Sequence, residues 1–201
     1  MYQNQFLKKR AQRALFIARW DVVLQKPTFG HARSMTDVSF LPGAVDALFH
    51  AGQMGWKIYL FGNEDQVPDG RQTLEEWLAI DAGILEHLRS HGVQITRSYA
   101  ATERPEGVPP YDKESVYALP NTGVMHHARQ EDGIDLEESW VVGNDVLSLV
   151  AGWRAGCRTA GVATPRIMQE GNLSVEPDLI GLDLGHTLAS MGARPPLRRS
   201  A

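Results

Sequence analysis

Short apolar runs alternate with helical patterns along almost the whole chain, and this alternation constrains the fold more than any other feature. ALFIA (14–18), KIYLFG (57–62), VQITRSYA (93–100), SWVVG (139–143) and CRTAGVA (157–163) read as strands. Between them, LPGAVDALFHAGQMG (41–55), residues 73–91, TGVMHHARQEDG (122–133) and NDVLSLVAGWRAG (144–156) read as helices. In the long helix, Leu74, Trp77, Leu78, Leu85 and Leu88 keep helical spacing, and Asp81 falls off the pattern. Strands that are apolar throughout are buried on both faces, so the expected architecture is α/β: a parallel sheet sandwiched between helical layers.

Composition narrows the function. Lys and Arg number 20 against 24 Asp and Glu, a formal net charge of −4, so no surface for nucleic acid is advertised. Apolar runs stay far below the roughly 20 residues that span a bilayer, and the N-terminus lacks the apolar core of a signal peptide. A cytoplasmic protein without membrane attachment is expected. The single cysteine, Cys157, allows no intrachain disulfide and reads as a small buried hydrophobe. One domain over 14–190 is expected, between a basic extension (1–13, with Lys8, Lys9, Arg10 and Arg13) and a Pro/Arg-rich tail (191–201). Residues 101–120 hold four prolines and read as an irregular surface excursion.

Four segments, ALFIARWDVVL, SFLPGAVDAL with MGWKIYLFGNED, LPNTGVM, and DLEESWVVGNDVLSLVAGWRAG, carry a family resemblance. In their order and spacing the chain resembles the haloacid dehalogenase (HAD) superfamily, in the branch of the D,D-heptose 1,7-bisphosphate and histidinol-phosphate phosphatases. The resemblance covers roughly residues 14–190 and implies a Rossmann-like three-layer α/β/α fold. It also implies sheet order third, second, first, fourth, fifth, with no large cap domain.

The chemistry that this family implies does not map onto these residues. The nucleophilic Asp of the first motif falls on Ala18, its acid/base Asp on Trp20 and its glycine on Asp21. An alanine has no lone pair for phosphorus, and an indole N–H exchanges no proton near neutral pH. The phosphate-holding Thr or Ser falls on Gly62, followed by Asn63; the motif lysine falls on Leu119; the metal-binding acids fall on Asn144 and Ser148. Magnesium wants several oxygen ligands with negative charge nearby, and residues 98–120 contain neither Cys nor His for the branch's zinc loop. No catalytic residue, magnesium or zinc is therefore expected, and Trp20, Asp21, Gly62, Asn63, Glu64, Asn144 and Asp145 become an altered ligand cleft.

The competing reading is a divergent phosphatase acting with magnesium on a phosphorylated sugar through the remaining acids, chiefly Asp21 and Asp145, with Glu64 and Asp65 nearby. Asp21 lies three residues beyond the nucleophile position, of order 10 Å if the chain is extended, and in-line attack tolerates far less. A binding role, with a protein partner or a small ligand, is the expectation. Trp20 reads as a plug in the cleft, while Trp56, Trp77, Trp140 and Trp153 read as structural. His126 and His127 diverge by about 100° on a helix and suit no shared metal.

Overall fold

The computed structural model describes residues 12–27 and 30–191. Most of the basic extension and nearly all of the Pro/Arg-rich tail lie outside the described residues. Six strands form the central sheet: β1 (Ala14–Ala18), β4 (Lys57–Asn63), β5 (Arg97–Ala101), β6 (Trp140–Gly143), β7 (Arg158–Val162) and β10 (Leu179–Gly181). Two antiparallel pairs stand apart, β2 (Leu24–Gln25) with β3 (Ser39–Phe40), and β8 (Met168–Glu170) with β9 (Leu173–Val175). The helices are α1 (Ala44–Gln53), α2 (Leu74–Ser90), α3 (Gly123–Asp132), α4 (Val146–Arg154) and α5 (Leu184–Met191).

The sheet runs β10-β7-β6-β1-β4-β5 and every pairing is parallel. Its first five strands keep the order expected from the resemblance, and PDLIGLDL supplies the sixth strand at the edge. The strand at 93–100 starts only at Arg97 and runs to Ala101. Among the described residues between β1 and α1 the chain makes the β2–β3 pair and a 3-10 turn at Met35–Asp37, and this stretch is too short for a large cap domain.

All five residues of β1 are buried, as a strand covered on both faces requires. Along one face, register aligns Val141, Phe16, Tyr59 and Arg97. There α4 sits on β6, and α3 is tied down by Tyr59 Oη donating to Asp132 at 2.9 Å. Arg97 bonds the same carboxylate and holds it below the usual carboxylate range. On the other face α2 meets β5 through Ser98 donating to Asp81 at 2.7 Å, with α1 beside α2 and α5 against α1. Three layers result.

Trp77 and Trp140 are buried and Trp56 is half-buried, but Trp153 is 58% exposed, contrary to its reading as structural. The buried stretch of α4 runs from Val146 to Gly152, and Trp153 projects beyond it. His126 is exposed, whereas His127 is half-buried and bonds Tyr117 Oη at 2.7 Å. Cys157 is fully buried.

Two helical glycines differ in what surrounds them. A Cβ on Gly152 would lie 2.5 Å from Val141 Cβ, whereas one on Gly52 would meet nothing within 4 Å. Thermal or urea unfolding should therefore show Gly152→Ala destabilised by about 1–3 kcal/mol through overpacking, and Gly52→Ala unchanged or more stable by up to about 1 kcal/mol.

Candidate functional site

The carboxyl ends of β1, β4 and β6 form the middle of one sheet edge, where open α/β folds place their sites. Parallel register pairs Ala18 with Phe61 and Ile17 with Val142, which brings Ala18, Gly62 and Asn144 to that edge together. Leu119 joins them, its N–H donating to Asn63 Oδ1 at 2.9 Å. Ala18 is buried, with 4% of its surface exposed. The four positions are thus neighbours at one strand edge, and none carries a charge.

Beyond Ala18 the chain does not continue extended. Asp21 N–H donates to Leu24 O at 2.6 Å and Leu24 N–H to Arg19 O at 3.0 Å, closing a tight turn. Asp21 sits in the left-handed region at φ +58°, a conformation that favours glycine and that Asp tolerates. This is the position where the resemblance expects glycine, so the backbone supports the alignment independently of side chains. The Asp21 carboxylate accepts from Lys26 N at 3.1 Å and so braces its own turn.

Arg19 points the other way, into the protein, and is fully buried. Its guanidinium bonds the Glu64 carboxylate, donates to Ser98 Oγ at 2.7 Å and Tyr99 O at 3.3 Å, and lies 3.4 Å from Asp81. The Trp77 ring stacks beneath it, 4.8 Å from centroid to Cζ. Glu64 also accepts from Trp20 Nε1, at 3.1 and 3.3 Å. Burial pushes the Glu64 carboxyl up, and Arg19 and the indole N–H counter part of that rise. The Arg19 cluster is the element that sequence reasoning missed. Its signals were a charged residue at the end of an apolar strand and Asp81, an acid off the apolar pattern of its helix.

At the fourth motif the remaining acid is committed locally. Asp145 caps α4, accepting from Ser148 N at 2.8 Å and Ser148 Oγ at 2.6 Å. Ser148 is 1% exposed. Among the described residues no group of three or more His, Cys, Asp or Glu is arranged to hold a metal. The residues at the magnesium positions do not fit that ion, because Ala18 offers no ligand and Ser148 Oγ is turned onto a side chain of its own helix.

Residues 102–122 contain no helix or strand, as the proline spacing predicts. Arg104 anchors the segment, bonding Asp69 and reaching Asp65 at 3.3 Å. Val108 N–H donates to Pro68 O at 2.7 Å and Arg104 N–H to Tyr111 O at 3.1 Å. Ion pairs and backbone bonds to the loop after β4 hold the segment.

Beside the Trp20–Glu64 contact lies a cavity of about 70 Å³. Of the expected cleft residues, Trp20, Asn63 and Glu64 line it; Asp21, Gly62, Asn144 and Asp145 do not. Gln66, Gln72 and the buried Trp77 line it further in, and the exposed Asp65 and Lys26 and the half-buried His31 are among the residues nearer its mouth. The expected cleft is therefore split between this cavity and the strand edge at Ala18 and Asn144.

No family model matches the sequence. The chain is 27% identical over 181 residues to D-glycero-D-manno-heptose-1,7-bisphosphate 7-phosphatase of Thermosynechococcus vestitus, covering 85% of this chain and 91% of the relative. It is 24% identical over 131 residues to the D-glycero-beta-D-manno-heptose-1,7-bisphosphate 7-phosphatase of Yersinia pestis, covering 65% and 70%. Among solved structures, D,D-heptose 1,7-bisphosphate phosphatase from B. bronchiseptica, complexed with magnesium and phosphate, superposes with a TM-score of 0.75 at 21% identity, over 90% of this chain and 99% of that one. A putative HAD-like phosphatase from Mesorhizobium loti gives 0.76 at 21% identity, over 94% and 90%. Fold and sequence likeness agree: the chain has the fold of haloacid dehalogenase phosphatases and is similar in sequence to heptose bisphosphate phosphatases.

Proposed function

We propose that this protein is a pseudophosphatase: a HAD phosphatase scaffold that binds a small ligand or a protein partner in the cytoplasm and does not hydrolyse phosphate esters. The observation that supports this reading is the strand edge itself, where Ala18, Gly62, Leu119 and Asn144 stand together; on the sequence resemblance these are the positions of a nucleophile, a phosphate-holding hydroxyl, a lysine and a metal-binding acid. Phosphoryl transfer depends on charge placed around the moving group, and these four side chains supply none.

The acids that remain do not favour a rewired enzyme. Asp21 braces the turn after β1 and Asp145 caps α4, so each carboxylate already accepts hydrogen bonds from its own segment. Glu64 is held by Arg19 and Trp20. Loss of the lysine together with the acids is physically coherent, since an ammonium left among apolar groups would be an uncompensated charge.

A sensitive magnesium-dependent assay with heptose bisphosphate, histidinol phosphate and p-nitrophenyl phosphate should give no turnover above background. Release of phosphate that disappears on Asp21→Asn would overturn the reading. Restoring one part should not restore the whole, because groups acting as a unit are strongly non-additive. Ala18→Asp alone is expected to stay inactive; Ala18→Asp, Trp20→Asp, Asp21→Gly, Leu119→Lys and Asn144→Asp together form the smallest set able to recover activity. Arg19→Met strands two carboxylates in the interior and should lower stability by about 3–5 kcal/mol in urea titrations. A loss below 1 kcal/mol would show that Arg19 is not a structural tie.

A further inference from the structure

We infer that His87 and His91, at the carboxyl end of α2, form a two-imidazole site for a divalent transition ion of the zinc, nickel or copper kind. The inference draws on no residue of the strand edge and stands whether or not that edge is catalytic.

Residues four apart on a helix project from one face, about one turn apart. His87 lies in the last turn of α2 and His91 is its C-cap, at φ −96° and ψ 15°. Their ring centres are 4.4 Å apart, with the planes tilted by 33°. Two imidazoles bound to one ion through nitrogens at about 2.0–2.1 Å hold their ring centres roughly 4.5–5 Å apart. The backbone spacing therefore already suits a chelate, and only the ring planes have to turn.

Each ring is held by something other than the pair itself. His91 Nδ1 lies 2.8 Å from His87 O. A carbonyl only accepts, so Nδ1 carries the proton and the neutral ring keeps its lone pair on Nε2, the arrangement that metal-binding histidines use. Ser90 Oγ donates to the same carbonyl at 2.7 Å and lies 3.2 Å from that Nδ1. His87 is half-buried and stacks on Phe40 of β3, with ring centres 4.3 Å apart. Neither of its ring nitrogens has a hydrogen-bond partner among the described residues. One ligand is thus set by a hydrogen bond and the other by packing from a separate element, which leaves little rotamer freedom to lose on binding.

The surroundings suit a cation. The carboxyl end of a helix carries partial negative charge, and Arg89, the basic side chain between the two histidines, is turned onto Glu86 by two bonds of 2.9 Å. Because no third His, Cys, Asp or Glu joins the pair among the described residues, solvent fills the other coordination positions. Imidazole suits zinc, nickel and copper, whereas magnesium and calcium take oxygen ligands.

The test titrates the full chain, carrying no affinity histidines, with zinc, nickel and copper chlorides, and with magnesium chloride as control, by calorimetry and by melting temperature. One ion per chain is expected, copper binding tightest, with a raised melting temperature and no saturable heat from magnesium. His91→Asn and His87→Phe, the second of which keeps a ring against Phe40, should each weaken binding about tenfold or more, no less than the loss of a partner behind a metal ligand costs. His126→Ala, an exposed histidine on another helix, should change nothing. Electron paramagnetic resonance of the copper-loaded wild type should show two coordinating imidazole nitrogens, a readout that does not depend on any variant folding. Failure of all three ions to saturate, a spectrum with a single nitrogen, or wild-type affinity in either folded variant at position 87 or 91 would overturn the site. Phosphatase assays on the same samples bear on the pseudophosphatase reading alone.

Discussion

A guanidinium sealed from water beneath the cleft organises the site. Taking Arg19 out of solvent costs several kcal/mol, and only close pairing offsets that cost. The residues that provide it come from three directions: Glu64 from the end of β4, Asp81 from α2, and Ser98 with the Tyr99 carbonyl from β5. Because each partner must reach one point, the cluster fixes how α2 sits against the sheet and how the loop after β4 leaves it. Trp20 inherits its position from the same arrangement, since its neighbour is anchored and its indole is tied to the same carboxylate.

The loop beyond β4 and the segment at 102–122 form a second tier resting on that base. Asp65 and Asp69 follow Glu64 in the chain, and both reach Arg104. Through them the irregular segment is attached to the strand that carries the buried cluster. Leu119 then returns to Asn63, so the segment is fixed at both ends to the end of β4 and the loop that follows it.

Legibility in the sequence followed range of interaction. The strands and helices were readable because their signals are local: ALFIA is apolar throughout, and Thr73 begins α2 with a capping box that closes on Glu76. The candidate motif positions rest on spacing alone, and the left-handed backbone at Asp21 falls where the resemblance expects glycine. Arg19 was not, since nothing in A-R-W-D says whether a side chain after a strand turns inward or outward. Its partners lie 45 and 79 residues away. PDLIGLDL reads as a short apolar run, but its three-residue strand at the edge is too short for periodicity to place it in the sheet.

The left-handed turn at Asp21 separates the path of the main chain from the side chains it displays. Main-chain geometry after β1 is held mainly by hydrogen bonds among backbone atoms, Asp21 to Leu24 and Leu24 to Arg19, to which the Asp21 carboxylate adds one from Lys26 N–H. The outline of the strand edge at Ala18 is therefore set largely by main-chain atoms, and substitutions on the turn that keep Asp21 in the left-handed region change its polarity more than its shape.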